Sequence, residues 1–187
     1  MKVTLRSYRP GDFETLHRID QACYPSDTAY SQAELRTYMG FVGADCLVAE
    51  IAGEPVAQCN SVGAARIAGF CITARRGAHG HIITMDVLAE FRRSGIGTAL
   101  LAEAERRLAA AGVQRVGLET ATDNAAGIAF WQKRQYTSVG VKKGYYAGRR
   151  DAYYMTKALA PEAARETERA PSRACARRKP PAGRAKR

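Results

Sequence analysis

The sequence predicts a mixed α/β fold, one central sheet with helices on its faces, occupying residues 1–159. Three observations carry that reading. Segments of strand and helix periodicity follow one another as β-α-α-β-β-β-α-β-α-β-β, which departs from the regular alternation of a doubly wound dinucleotide-binding fold. The stretch "HIITMDVL" is a long apolar run, as expected of a strand in the middle of a sheet. Hydrophobic residues make up 46% and charged residues 25% of 187 positions, enough apolar material for one sizeable core.

The elements follow in order. "KVTLRSY" alternates like a strand. "RPGDFETLHRIDQACYP" then places Phe13, Leu16, Ile19 and Cys23 on one helical face, with Asp12 as N-cap and Pro25 just past the end. Ser31 followed by Glu34 has capping-box spacing and starts a second helix, "SQAELRTYM", after the loop "CYPSDTAY". "CLVAEI" is a strand, "AGEP" a turn, and "GFCITARR" a strand before the turn "GAHG". Between them, "QCNSVGAARIA" reads as an insertion. "HIITMDVL" leads through a glycine turn into "TALLAEAERRLAAAG", where Leu100 or Leu101, Ala104 and Leu108 form the buried stripe. Glu103 and Arg107 pair at i, i+4 on the wet side, and Gly112 closes the helix. The strand "VQRVGLET", the helix "NAAGIAFWQKR" capped by Asn124 or Asp123, and the strands "TSVGVKKGYY" and "DAYYMTKAL" complete the domain.

The formal net charge is +11, and +6 of it falls in residues 160–187, which carry nine Lys/Arg against three Glu and four of the seven prolines. Such a composition buries too little apolar surface to offset the entropy of ordering, so this stretch reads as a disordered basic tail. It is either a solubilising extension or a weak electrostatic contact for nucleic acid. The five cysteines, Cys23, Cys46, Cys59, Cys71 and Cys175, are odd in number and lack any C-x-x-C spacing, which argues against a disulfide framework and a zinc site. No apolar run approaches the roughly 18 residues of a membrane span, and the opening "MKVTLRSYRPGDF" has no secretory h-region. The expected compartment is the cytoplasm, with no membrane and no metal.

The glycine turn carries the chemistry. A strand, then Gly95 and Gly97, then a helix leaves backbone N–H groups and the positive helix end facing whatever sits at the turn, and Arg92 and Arg93 add charge there. The dinucleotide fingerprint G-x-G-x-x-G fails at Leu100, and the P-loop pattern has no match. "RRSGIG" resembles the R/Q-x-x-G-x-G/A loop that binds the coenzyme A pyrophosphate in the GNAT superfamily of N-acyltransferases. "LETATDNAAGIAFWQKRQY" is similar to that family's next strand and helix. "VKKGYY…RRDAYYM" and "YPSDTAYSQAEL" resemble the closing hairpin and first interhelical loop of the RimI and Ard1-like branch, which acetylates protein N-termini.

The resemblance implies a GNAT fold, a mixed sheet of about seven strands with about four helices, and acetyl-CoA as co-substrate. It implies that Met85, Asp86 and Val87 pair with the pantetheine arm, the Val87 N–H pointing at the thioester carbonyl, and that Arg92, Arg93, Ser94, Gly95, Ile96, Gly97 and Thr98 hold the pyrophosphate. Asn124 matches a cofactor contact and is equally a good helix cap. Glu119 matches a general base and reads otherwise as a strand-end carboxylate. Tyr145 and Tyr146 match a peptide groove, and Tyr24 and Tyr30 the loop facing it. Trp131 stands where the family commonly has a tyrosine that assists the departing thiolate; its other reading is a core side chain. An indole cannot supply a proton at neutral pH, and Tyr136, Tyr145 and Tyr146 are the candidate substitutes. His79 and His81 read as structural.

Deprotonating an α-amine of pKa near 8 at pH 7 costs about 1 kcal/mol, against roughly 4 to 5 for a lysine, so a single carboxylate suits an N-terminal acceptor better. The expected partner is therefore a protein or peptide N-terminus, such as that of a ribosomal protein. The alternatives are a small-amine acetyltransferase and a non-catalytic CoA-binding module.

Overall fold

The computed structural model describes residues 2–52 and 66–159. The elements are β1 (Val3–Ser7), α1 (Phe13–Cys23), α2 (Gln32–Met39), β2 (Asp45–Ile51), β3 (Arg66–Arg76), β4 (His79–Val87), α3 (Ile96–Ala110), β5 (Arg115–Ala121), α4 (Ala125–Gln132), β6 (Thr137–Tyr146) and β7 (Arg150–Ala158). Their order is the one the sequence predicts. The basic tail, Cys59, Cys175 and most of the insertion lie outside the described residues; Arg66 and Ile67 open β3.

One sheet runs β1-β2-β3-β4-β5-β7-β6. All its pairings are antiparallel except β4 with β5. β3 is buried from Ala68 to Thr73 because both faces are covered. On one face Ile82, Leu100, Leu101, Val116 and Leu118 pack around α3. On the other, Leu16, Ile19 and Leu35 of α1 and α2 meet Val48, Phe70 and Ile72.

Local signals resolve as follows. Ser31 and Glu34 close the capping box ahead of α2, the Glu34 N–H donating to Ser31 Oγ at 3.3 Å and the Ser31 N–H to Glu34 Oε2 at 2.9 Å. Asp12 precedes α1 but makes no side-chain cap. Its carboxylate is taken instead by the Arg6 guanidinium at 2.7 and 2.8 Å, a bidentate fork stronger than a lone N–H donor. β4 begins two residues before the expected "HIITMDVL", because Gly77 at φ +56° allows a tight turn that lets His79 pair with Arg76.

Two features of β4 shape the molecule. Ile72 pairs with Thr84 and Thr73 with Ile82, so Ile83 is an extra residue, a β-bulge. Pairing with β5 runs only from His79–Arg115 to His81–Gly117 and stops there. The bulge raises the local twist and turns the rest of β4 away, opening a wedge between two parallel strands in the middle of the sheet.

Candidate active site

The wedge is lined by backbone. The Leu88 N–H donates to Ala68 O on the β3 side at 3.0 Å. By the alternation of a strand, the N–H groups of Val87 and Met85 face the other way, into the gap, with no β5 partner. Both side chains pack against the α3 core. Gly97 opens the approach from α3: a Cβ there would meet the Phe130 ring at 3.4 Å and Val87 Cγ2 at 3.8 Å.

The glycine turn stands at the mouth of this gap. Gly95 is the N-cap of α3 in the left-handed region at φ +90°, with no side chain capping the helix and no acidic residue in its first turn. The first N–H groups of a 15-residue helix are thus left for a ligand. Arg93 holds φ +62°, a conformation a non-glycine residue adopts at a cost, and its side chain is exposed. Arg92 is turned back, its Nε donating to Val87 O at 3.0 Å. Ser94 Oγ donates to Phe91 O at 2.6 Å, Ile96 is buried in the core, and Thr98 Oγ1 accepts from Arg134.

Glu119 lies on β5 just past the last parallel pair. Its side chain is only 6% exposed and both oxygens are engaged: Oε2 with His81 Nε2 at 2.9 Å, Oε1 with Lys142 Nζ at 2.5 Å. Burial alone would raise its pKa, but the bonds from His81 and Lys142 outweigh burial and hold the carboxylate at about 2. Neither partner was legible in the sequence, where His81 reads as structural and Lys142 as one lysine of a strand. Only the sheet register brings β4, β5 and β6 side chains together.

Tyrosines wall the far side. Tyr145 and Tyr146 stand edge to face, ring centroids 5.0 Å apart, and Tyr145 is 45% exposed. Burial and the Glu119 charge raise both hydroxyls, Tyr146 to about 12. Tyr30 approaches them from the α1–α2 loop and packs at a tilt against Tyr38, ring centroids 4.9 Å apart, a fourth tyrosine that sequence reasoning missed. The Tyr30 hydroxyl donates to the carbonyl of the bulged Ile83 at 3.4 Å. Arg150 straps the same loop to the hairpin, bonding Asp27 Oδ1 at 3.2 Å and Thr28, with Asp123 at 3.8 Å.

Tyr24 turns inward instead, its hydroxyl 3.4 Å from Thr84 Oγ1. Beneath it lie two buried carboxyls. Asp86 Oδ1 accepts from Thr84 at 3.0 Å, and Asp20 Oδ2 from the Tyr30 N–H at 2.8 Å, while Asp86 Oδ2 and Asp20 Oδ1 meet no donor. Burial, with Asp20 nearby, pushes Asp86 up to about 8, and burial pushes Asp20 to about 6. The Asp86 side chain therefore faces away from the gap that its neighbours line.

Two further positions make structural contacts. Trp131 is 9% exposed, edge-on to Phe130 at 4.9 Å and Tyr136 at 5.5 Å, because α4 turns this face to the core. Asn124 caps α4, its Oδ1 accepting from the Gly127 N–H at 2.9 Å. The Tyr136 hydroxyl is buried and donates to Glu105 Oε1 at 3.0 Å, which removes it as a substitute proton donor. Among the described residues there is no cluster of His, Cys, Asp and Glu able to hold a metal, and no helix long and apolar enough to cross a membrane.

Comparison with known proteins adds an independent line. The profile described as the acetyltransferase (GNAT) family matches residues 13–136. An N-alpha-acetyltransferase of Saccharolobus solfataricus is 37% identical over 81 residues, 43% of this chain and 48% of the relative. The chain thus spans about half the length of the curated relatives it matches. Among solved structures, Ard1 from Thermoplasma volcanium superposes with a TM-score of 0.72 at 24% identity, covering 86% of this chain and 99% of that one. The ribosomal-protein-S18-alanine N-acetyltransferase from Escherichia coli gives 0.69 at 22%, covering 85% and 95%. At these identities both show a shared fold.

Proposed function

The chain belongs to the acetyltransferase (GNAT) family, and on that premise we propose that it transfers an acetyl group from acetyl-CoA to the α-amine of a protein or peptide N-terminus. The observation that carries this reading is the wedge between β4 and β5: an unpaired strand edge leads from an uncapped helix start to a buried acid bonded to a half-exposed imidazole and walled by tyrosines. A cofactor with a phosphate end, an amide-bearing arm and a reactive tip matches that sequence of surfaces. The archaeal relatives named as N-alpha-acetyltransferases support the α-amine as acceptor.

Within this proposal each group has a role. Gly95 to Thr98, with Arg93, take the pyrophosphate; Val87 and Met85 extend the ladder to the pantetheine amides. Val87 lies six residues beyond the His81–Gly117 pair, one of them the bulged Ile83, and Glu119 two, so strand rise separates them by roughly 10 Å along the sheet. Of the two N–H groups that face the gap, that of Met85 stands nearer Glu119, and it is assigned the developing charge on the thioester oxygen. Glu119, held near 2 with both oxygens bonded, is a weak proton acceptor. We assign it to holding His81 through Nε2, which sets the other ring nitrogen as the acceptor for the amine proton. With Trp131 in the core, the CoA sulfur departs as thiolate, which a thiol of pKa about 8.5 permits.

The test is acetyl-CoA turnover with a lysine-containing peptide, once with a free and once with a blocked N-terminus, mass spectrometry placing the acetyl group. Modification of the free α-amine alone is expected. Transfer to lysine in both, or to neither, overturns the N-terminal reading.

A further inference from the structure

We propose that Lys142 is a built-in stand-in for the acceptor, an ammonium group that occupies the amine subsite and must be displaced before any acceptor reacts. The inference rests on the acetyltransferase reading above. Its ground is the surroundings of one atom. Lys142 Nζ lies 2.5 Å from Glu119 Oε1, and the rings of Tyr154 and Tyr145 stand 5.0 and 5.3 Å away. A carboxylate flanked by two aromatic rings is a receptor for an alkylammonium ion. A peptide α-ammonium carries the same donors and charge, and Glu119 Oε2 is already committed to His81, so Oε1 is the oxygen an incoming amine would meet.

Lys142 is also placed to leave. Its side chain is 47% exposed, and it sits on the outermost strand. Lys142 is the last residue of β6 paired with β7 before the register is interrupted, and pairing resumes only at Tyr146–Arg150. Lys157 shows the contrasting case: 17% exposed and bonded to both oxygens of a buried Glu105 at 2.8 Å, it is a fixed structural cation. Displacing Lys142 lowers the apparent affinity of every acceptor by one common factor. An amine with no contacts to the tyrosine wall then binds too weakly to compete, while a peptide recovers the loss along the groove.

The experiment compares the wild-type chain with Lys142→Met, which keeps the apolar stem without the charge, and Lys142→Arg, which keeps the charge. Steady-state kinetics are measured with a free N-terminal peptide and with n-butylamine at saturating acetyl-CoA. Lys142→Met is expected to lower the acceptor KM about five- to tenfold for both amines, with kcat within about twofold, and Lys142→Arg to resemble wild type. An unchanged or raised KM in Lys142→Met, or a loss confined to kcat, overturns the inference and makes Lys142 a prop for Glu119. Wild-type turnover of butylamine but not peptide overturns the N-terminal reading and the selectivity for peptides, while the butylamine KM of Lys142→Met still decides the displacement. Turnover of neither overturns both.

Discussion

Replacing Asp86 by Asn removes a charge that the fold is built to keep neutral. The carboxyl is 1% exposed, one of its oxygens has no donor, and its pKa rises from 3.8 to about 8. The sign follows from which state binds the proton. Folded protein holds it up to about pH 8, whereas the unfolded chain releases it above 3.8, so stability is full below 3.8 and falls as pH rises to about 8, then levels off. Four units at about 1.4 kcal/mol each amount to a loss on the order of 5 kcal/mol. Asn has nearly the same shape and cannot ionise; at low pH it is slightly the worse fit, because its NH2 takes the place of an oxygen that meets no donor. Urea unfolding at pH 4.5, 6 and 8 is the assay. The Asp86→Asn variant should start level with or below wild type at pH 4.5 and exceed it by several kcal/mol at pH 8. Two curves that run parallel across this range would refute the reasoning, since a purely steric effect has no pH dependence.

The remaining predictions concern other parts of the molecule. Arg93→Gly should relieve a left-handed backbone by about 1 kcal/mol in unfolding assays while raising the acetyl-CoA KM about tenfold at low salt; an unchanged KM would remove Arg93 from the phosphate site. His81→Ala should lower kcat about a hundredfold with acetyl-CoA affinity intact by calorimetry, and wild-type kcat would exclude it as the proton acceptor. Glu105→Gln leaves Lys157 and the Tyr136 hydroxyl without their charged partner and should destabilise by about 3 kcal/mol on urea unfolding; a change under about 0.5 kcal/mol would mean that water replaces the carboxylate.

What the sequence discloses depends on the range of the interaction. Ser31 and Glu34 are three residues apart, and Gly112 ends α3 at φ +83°, so both signals could be read directly. The glycine turn was equally plain, because a strand, two glycines and a helix are contiguous. Asp12 misled as a cap because its true partner, Arg6, lies on a strand whose direction the sequence leaves open. His81, Glu119 and Lys142 stand on three strands, and their meeting depends on a parallel pairing of three residues and on the β5–β7–β6 register. No local pattern encodes that register. Trp131 was open between core and site for the same reason: one helical face serves both until the neighbours of α4 are known.

β6 hangs on the sheet by β7 alone, and nearly every residue from Thr137 to Lys143 is exposed. The proposed donor half of the cleft is the opposite case, enclosed by β3, β4 and α3, where a changed side chain disturbs a close-packed interior. Substitutions along β6 therefore carry small penalties in stability, and Val139 and Val141 already stand in solvent there. Acceptor preference in this architecture can drift without endangering the fold, because the wall proposed to read the acceptor is the part of the sheet on which least else depends.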